Sequence, residues 1–269
     1  MDSLILNCLG TGDGWPCADR SHSAFLYRFP ETAFLIDCGE SVSRTVKASG
    51  WSYDLIECAF LSHLHFDHLG GFFMLMQGFW LEGRRRALTV HMPEDGIAPV
   101  KRLLDAGCVF EDLLAFRLRF RALRARRSVV MGGVKVTPCP TTHLDRLRAS
   151  FGSKYAQRFE SFSFLIEGHG LRVAHTADVG AVGDLSPLLS KPVNLLVCEL
   201  AHFDIEPLAA FLRDKPIGRV LFVHLARGLR QDMKATRKRI RRALGRIPFR
   251  IAEDGDRLAV RAGGMDGGC

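Results

Sequence analysis

Three histidines and an aspartate fall within six consecutive residues, His63-Leu64-His65-Phe66-Asp67-His68, directly after an apolar run from Ile56 to Leu61. Imidazole nitrogens and carboxylate oxygens are the donors that zinc and its first-row neighbours accept. Alternate residues of an extended segment share a face, so His63 and His65 are placed to grip one ion together. Asp67 and His68, where the chain turns past the strand end, then face a second. A polar cluster at the carboxyl end of a strand, followed here by Gly70-Gly71, is where α/β architectures place chemistry. The expected reading is a metal site rather than a histidine-rich surface turn.

Two ions need more ligands, and these must come from other strand ends. Three segments have the right form: Thr141-Thr142-His143 after a run ending at Pro138, Thr176-Ala177-Asp178 after one ending at His175, and His224 closing Val220-Leu221-Phe222-Val223. On this reading His63, His65 and His143 hold one ion, Asp67, His68 and His224 hold the other, and Asp178 bridges them.

The elements that must carry these residues can be read from hydrophobic periodicity. Strands are expected at 4–9, 24–28, 32–37, 56–61, 87–91, 115–120, 161–167, 171–175, 194–199 and 219–224. Hairpins are expected at 128–138 and 247–260. Helices are expected from Ser41 to Ala48, Leu69 to Leu81, Gly96 to Asp105, Ile205 to Arg213 and Arg230 to Leu244, and a long irregular loop over 141–160. Gly10-Thr11-Gly12-Asp13-Gly14 lacks the spacing of a dinucleotide cradle and runs into Trp15-Pro16, so it reads as a tight loop near the site. Strand runs separated by helices suggest two sheets packed face to face with helices outside. Residues 1–261 are expected to form a single domain and 262–269, rich in glycine, a flexible tail.

These residues together resemble the metallo-β-lactamase superfamily, and within it the ribonuclease Z-like and phosphodiesterase branch. The resemblance rests on Leu9-Gly10-Thr11-Gly12, Ile36-Asp37-Cys38-Gly39-Glu40, the His63-to-His68 signature, His143, Ala177-Asp178, Glu199 and His224, in that family's order. It implies an α/β (α+β) four-layer αββα sandwich and a hydrolase with two divalent metal ions, zinc in the first instance and manganese or iron as alternatives. Redox-active relatives carry an acidic residue where this chain has His65, which argues for hydrolysis. The β-lactamases proper use a cysteine where Asp178 stands. Asp37 is expected to orient a ligand histidine. Ribonuclease Z places a histidine before the equivalent of Glu199; here that position is Cys198, a poor proton donor. His202, oriented by Glu199, is the substitute candidate, with Asp67 steering the attacking water. His22, His91 and His169 are expected to make ordinary loop or core hydrogen bonds. His175 is either packed at a strand end or placed behind the metal ligands.

The rest of the composition sets bounds. With 269 residues, 47% hydrophobic and 25% charged, the chain can bury a large core. A net charge of +8 favours anionic partners. Arg117, Arg119 and Arg121 are candidate anion-binding residues, as is the basic run from Lys234 to Arg242. The eight cysteines form no Cys-x-x-Cys pair, which reads as reduced thiols inside a cell. No signal peptide or membrane span is apparent, so a cytoplasmic protein without a membrane partner is expected. The leading expectation is a phosphodiesterase acting on a small phosphodiester or nucleotide. The alternatives are ribonuclease Z-type cleavage of RNA at tRNA 3′ ends, a lactonase or other ester hydrolase, and a non-catalytic member with a cofactor-biosynthesis role. Family resemblance also suggests a homodimer.

Overall fold

The computed structural model describes residues 4–262. The chain first lays down β1 (Leu4–Gly10), β2 (Ala24–Arg28), β3 (Ala33–Ile36), β4 (Cys58–Phe60), β5 (Leu88–Met92) and β6 (Leu118–Ala122). A second set follows: β7 (Val129–Met131), β8 (Val134–Pro140), β9 (Phe162–Gly168), β10 (Leu171–His175), β11 (Leu195–Leu200), β12 (Val220–Leu225) and β13 (Phe249–Ile251). A last strand, β14 (Arg257–Val260), returns to the first sheet. The two seven-stranded sheets run β14-β1-β2-β3-β4-β5-β6 and β13-β12-β11-β10-β9-β8-β7. The helices are α1 (Val42–Ala48), α2 (Phe66–Leu69), α3 (Phe72–Leu81), α4 (Glu94–Ala106), α5 (Asp145–Phe151), α6 (Ile205–Leu212), α7 (Arg227–Arg230) and α8 (Met233–Leu244).

Strand alternation explains the layering. Leu4, Leu6 and Cys8 of β1, Cys58 and Phe60 of β4, and Leu221 and Val223 of β12 turn into one core shared by both sheets. Their sequence neighbours turn the other way. Leu9, Ala59 and Leu61 pack with α1, α3 and α4, and Val220 and Phe222 pack with α6 and α8. Three cores between four layers make the αββα sandwich of the metallo-β-lactamase fold. A polar bolt crosses the central core, where Tyr27 Oη and His175 Nδ1 lie 2.8 Å apart.

Each sheet contains a parallel run, β3-β4-β5-β6 in one and β10-β11-β12-β13 in the other. Parallel strands end together, so the segments after β3, β4, β8, β10 and β12 arrive at one edge of the sandwich. Among the described residues, no helix is long and apolar enough to cross a membrane.

Four local expectations fail. The segment 141–160 contains a helix, α5, held by its own backbone and by Arg148 rather than by an apolar stripe that periodicity could reveal. The apolar stretch 69–81 is split, because α2 begins at Phe66 and carries Asp67 and His68. The basic helix is likewise two helices, α7 and α8. The expected hairpin at 247–260 is not a hairpin: β13 pairs with β12 and β14 pairs with β1, so the closing strands join different sheets. Of the tail expected from residue 262, residues 263–269 lie outside the described residues.

Candidate metal centre

The His63–His68 loop is built on β4 and locked from beneath by the turn after β3. Asp37 stands there in the left-handed region, with φ 60°, and its carboxylate accepts three hydrogen bonds. Oδ1 takes the Ser62 N–H at 2.8 Å. Oδ2 takes the Ser62 hydroxyl at 3.0 Å and the His68 Nδ1–H at 2.7 Å. That last bond fixes His68 so that Nε2 faces the site. Two glycines let the turns interlock. A Cβ on Gly39 would lie 2.2 Å from the Asp67 carbonyl oxygen, and one on Gly71 would lie 2.0 Å from the Gly39 carbonyl oxygen.

The other candidate donors also stand at or near strand ends. His143 follows β8, Asp178 follows β10, and His224 lies within β12 with φ 50°. Its neighbour across the site, Ala177, is also left-handed, with φ 45°. Left-handed backbone at non-glycine residues is costly and concentrates at functional sites.

Two groups of donor atoms match the expected ligand sets, His63/His65/His143 and Asp67/His68/Asp178/His224, and a third, His143/Asp178/His202, overlaps both; within each group the atoms lie within 4.8 Å of one another. Asp178 lies between the first two. Its Oδ2 is 3.9 Å from His63 Nε2, 3.7 Å from His143 Nε2 and 3.4 Å from His224 Nε2. Its Oδ1 is 3.3 Å from His68 Nε2. Donors about 2.1 Å from a tetrahedral ion sit about 3.4 Å apart, so these spacings suit a shared cation better than direct hydrogen bonds. The buried His63 Nε2, His68 Nε2 and Asp178 Oδ1 indeed have no hydrogen-bond partner, a costly state that metal ligation would relieve. The donor set fits metal ions.

The protonation states agree with that fit. Burial holds the His63 imidazole well below its ordinary range, lowers His65 and brings His143 down to about 4, so these three present neutral nitrogen. Burial works against ionising Asp67, but the hydrogen bond and charge of His68, with His224, carry it down to about 2. Asp178 is also buried, yet the His224 and His68 charges hold it well below the usual carboxylate range. His68 is the exception: burial opposes its charge, but Asp178 and Asp37 raise it well above its usual value. A metal held by this cluster would take the place of a proton on His68.

Beyond the ligands, Glu199 is a buried carboxylate with four donors. Oε1 accepts from Val179 N at 2.9 Å and His202 Nδ1 at 2.8 Å. Oε2 accepts from Ala201 N at 2.8 Å and His202 N at 3.1 Å. The arrangement turns His202 Nε2 to within 3.9 Å of Asp178 Oδ2. Burial alone would lower the His202 imidazole, but Glu199 carries it up to about 9, so it is protonated at neutral pH. Cys198 faces the opposite way, into the core under α6, where burial pushes its thiol up.

Asp67, His202 and His224 line a cavity of about 350 Å3 together with Asp13, Trp15 and Arg227. Sequence reading missed the last two. Trp15 is exposed and sits 5.7 Å from the Arg227 guanidinium; Arg227 follows His224 by three residues, the signal that could have found it. Asp13 is held by Arg230 at 2.8 Å. Arg119 and Arg121 stand on edge strand β6, with Arg117 just before it, and alternate with Leu118 and Phe120, which pack on the helix-side core. They are not among the residues lining the cavity. His22, near Glu40 at 3.5 Å, and His169, 3.1 Å from the Gly132 carbonyl oxygen, make local contacts, and His91 stacks on Phe60.

A two-sheet sandwich with histidines and aspartates gathered at the carboxyl ends of its strands places the chain among metallo-β-lactamase-fold proteins. Over most of the chain it can be compared with YhfI of Bacillus subtilis, a protein of that fold, with a TM-score of 0.76 at 17% identity over 96% of this chain and 99% of that one. The human short-form tRNase Z gives a TM-score of 0.71 at 20% identity over 95% and 99%. Within the fold, residues 4–201 match the family model described as "Anti-Pycsar protein Apyc1", and the chain belongs to that family. Its curated relatives include ribonuclease Z of Methanococcus maripaludis, 35% identical over 104 residues, which is 39% of this chain and 33% of that protein. The match thus spans about a third of that relative's length.

Proposed function

We propose that this protein is a di-metal hydrolase, a phosphodiesterase acting on a small phosphodiester or nucleotide, with two zinc ions held by His63, His65 and His143 on one side and Asp67, His68 and His224 on the other. The observation that carries the proposal is Asp178, whose carboxylate stands between both donor groups at the floor of a cavity of about 350 Å3. That volume falls in the range of small-molecule sites, roughly 300–1,000 Å3. When bound, such ions polarise phosphoryl oxygens and lower the pKa of water in the site.

The chain's own residues do the rest. Asp67, ionised and in the cavity wall, orients the attacking water. His202, protonated and held at Nδ1 by Glu199, delivers a proton from Nε2 to the departing oxygen. Glu199 is a positioning residue: it also holds the Val179 N–H beside Asp178, tying donor and bridge together. The relatedness to ribonuclease Z supports a phosphodiester as substrate. It also favours a second reading, cleavage of RNA at tRNA 3′ ends.

The test uses zinc-loaded protein on bis(p-nitrophenyl) phosphate, a dinucleoside phosphodiester, a lactone and a tRNA precursor. Turnover of the first two is expected. Absence of all phosphodiester turnover with metal bound would overturn the proposal, and turnover of the tRNA precursor alone would favour the second reading. The His202→Asn variant separates the roles. p-Nitrophenolate leaves without a proton, so that substrate should be nearly unaffected, whereas the dinucleoside, with its alkoxide leaving group, should slow by about 10²–10⁴-fold. Equal effects on both substrates would remove His202 as the proton donor.

A further inference from the structure

The last helix of the chain carries its charge in an ordered pattern. β12 and β13 are parallel and His224 stands at the metal edge of β12, so α8 runs back from that edge towards the far one. Packing fixes its inner face: Thr236, Ile240 and Leu244 are buried. At about 100° per residue, the side directly opposite falls on Lys234, Lys238 and Arg242. All three are exposed.

The other charged side chains of the helix are used within the molecule. Arg237, on one flank, lies 3.7 Å from Glu253. Arg239, on the other, makes two bonds to the Glu206 carboxylate of α6, and the Asp204 charge adds to that hold. Arg241 lies 5.2 Å from the Phe249 ring. Nearby carboxylates are occupied too: Asp232 Oδ1 accepts the Ala235 N–H at 2.9 Å, and Asp256 binds Arg250. Among the described residues, no carboxylate lies within ion-pair distance of Lys234, Lys238 or Arg242.

This outer stripe works against the helix. Like charges four residues apart repel, and a glutamate in the middle would pair with both neighbours. Helix stability alone would not place three cations there. Successive cations rise by about 6 Å along the axis, four residues at about 1.5 Å each, a repeat close to that of phosphates along a nucleic-acid strand. The stripe presents no aromatic ring on which unpaired bases could stack. It also has no large apolar residue to enter a bilayer, because the apolar side of α8 is buried in the core.

We propose that the outer face of α8 docks duplex nucleic acid through its phosphate backbone, without reading sequence. The three residues are not among those lining the metal cavity. The inference goes beyond the phosphodiesterase reading and stands apart from it: the duplex is held on this face, not cleaved there.

The test is fluorescence anisotropy of two labelled DNA duplexes of unrelated sequence with the zinc-loaded full chain, over a range of potassium chloride concentrations. Saturating methyl phosphate is added to occupy the metal cavity. Both duplexes should bind alike, with log K falling against log salt at a slope of about −2.7, three contacts at about 0.9 each. Lys234→Gln, Lys238→Gln and Arg242→Gln should each reduce the slope by about 1. Lys238→Glu separates docking from a structural role. It should weaken docking on the order of tenfold or more yet raise the unfolding temperature, because the new carboxylate pairs along the helix. No binding by wild type, a clear sequence preference, loss of binding on adding methyl phosphate, or an unchanged slope in all three glutamine variants would overturn the proposal. So would a lower unfolding temperature in Lys238→Glu with docking intact, or tighter binding to phosphatidylserine vesicles than to either duplex. Turnover of bis(p-nitrophenyl) phosphate, measured separately without methyl phosphate, tests the other reading. Docking without turnover would sink the phosphodiesterase reading and leave the docking face standing, and turnover without docking would do the reverse.

Discussion

Replacing Asp37 by asparagine tests whether the carboxylate beneath the histidine loop sets metal affinity. The substitution is chosen because the residue has φ 60°, which asparagine tolerates better than alanine does, so the backbone is kept. Asp37 is fully buried and only accepts: from Ser62 N at 2.8 Å, Ser62 Oγ at 3.0 Å and His68 Nδ1 at 2.7 Å. An amide cannot accept on both sides. If its oxygen stays on the Ser62 N–H, its NH2 faces His68 Nδ1 and drives the imidazole proton to Nε2, the nitrogen aimed at Asp178 and Asp67. If it flips, the buried Ser62 N–H loses its acceptor, at about 1–3 kcal/mol. Substituting such an orienting partner typically weakens metal binding by about 10–100-fold, or about 1.4–2.7 kcal/mol. Zinc titration against a competing chelator reads this directly, and thermal unfolding with and without metal shows how much of the loss belongs to the apo fold. Wild-type affinity at the Asp67/His68/His224 cluster in Asp37→Asn would refute the reasoning, because His68 would then be oriented by something else.

Two further outcomes are expected. Gly39→Ala should lower folded yield and metal content together, because its Cβ would sit 2.2 Å from the Asp67 carbonyl oxygen and 2.7 Å from the His22 backbone, neither of which can move away alone; stable protein with full metal content would contradict the interlock. His91→Phe should flatten the acid side of the stability profile. Burial, with the Arg121 charge, holds His91 at about 4 against its ordinary 6.5. Between those values the unfolded chain binds the proton and the native one does not, so stability falls as pH falls through that window. At pH 5 this is worth about 2 kcal/mol, and denaturant midpoints at pH 7 and pH 5 should differ less in the variant by about that amount; an unchanged difference would show that His91 does not titrate as its burial requires.

The candidate donor cluster was legible because local sequence places it: a period-2 pair at a strand end, and other polar residues at points where apolar runs stop. Whether those ends meet is a question of topology, but parallel strands feeding one edge leave few alternatives. The helix α5 was not legible, since no buried residue lies within it and nothing in its periodicity marks a core-facing stripe. The last two strands misled for a related reason. Two short apolar runs across a turn carry the same local signal whether they pair with each other or with different sheets, and only the positions of β1 and β12 separate the cases.

The sequence by itself determined the donor types, their order and the four-layer α/β frame, because side-chain chemistry and hydrophobic period act over a few residues. Only the tertiary structure decided that Asp178 stands between both donor groups and that Cys198 faces the core while His202 turns into the cavity. It alone also decided that Glu206 and Glu253 take up the flanking arginines of α8 and leave its outer face unpaired. Those outcomes depend on strand register and on left-handed turns at Asp37, Ala177 and His224, which long-range packing enforces against local preference.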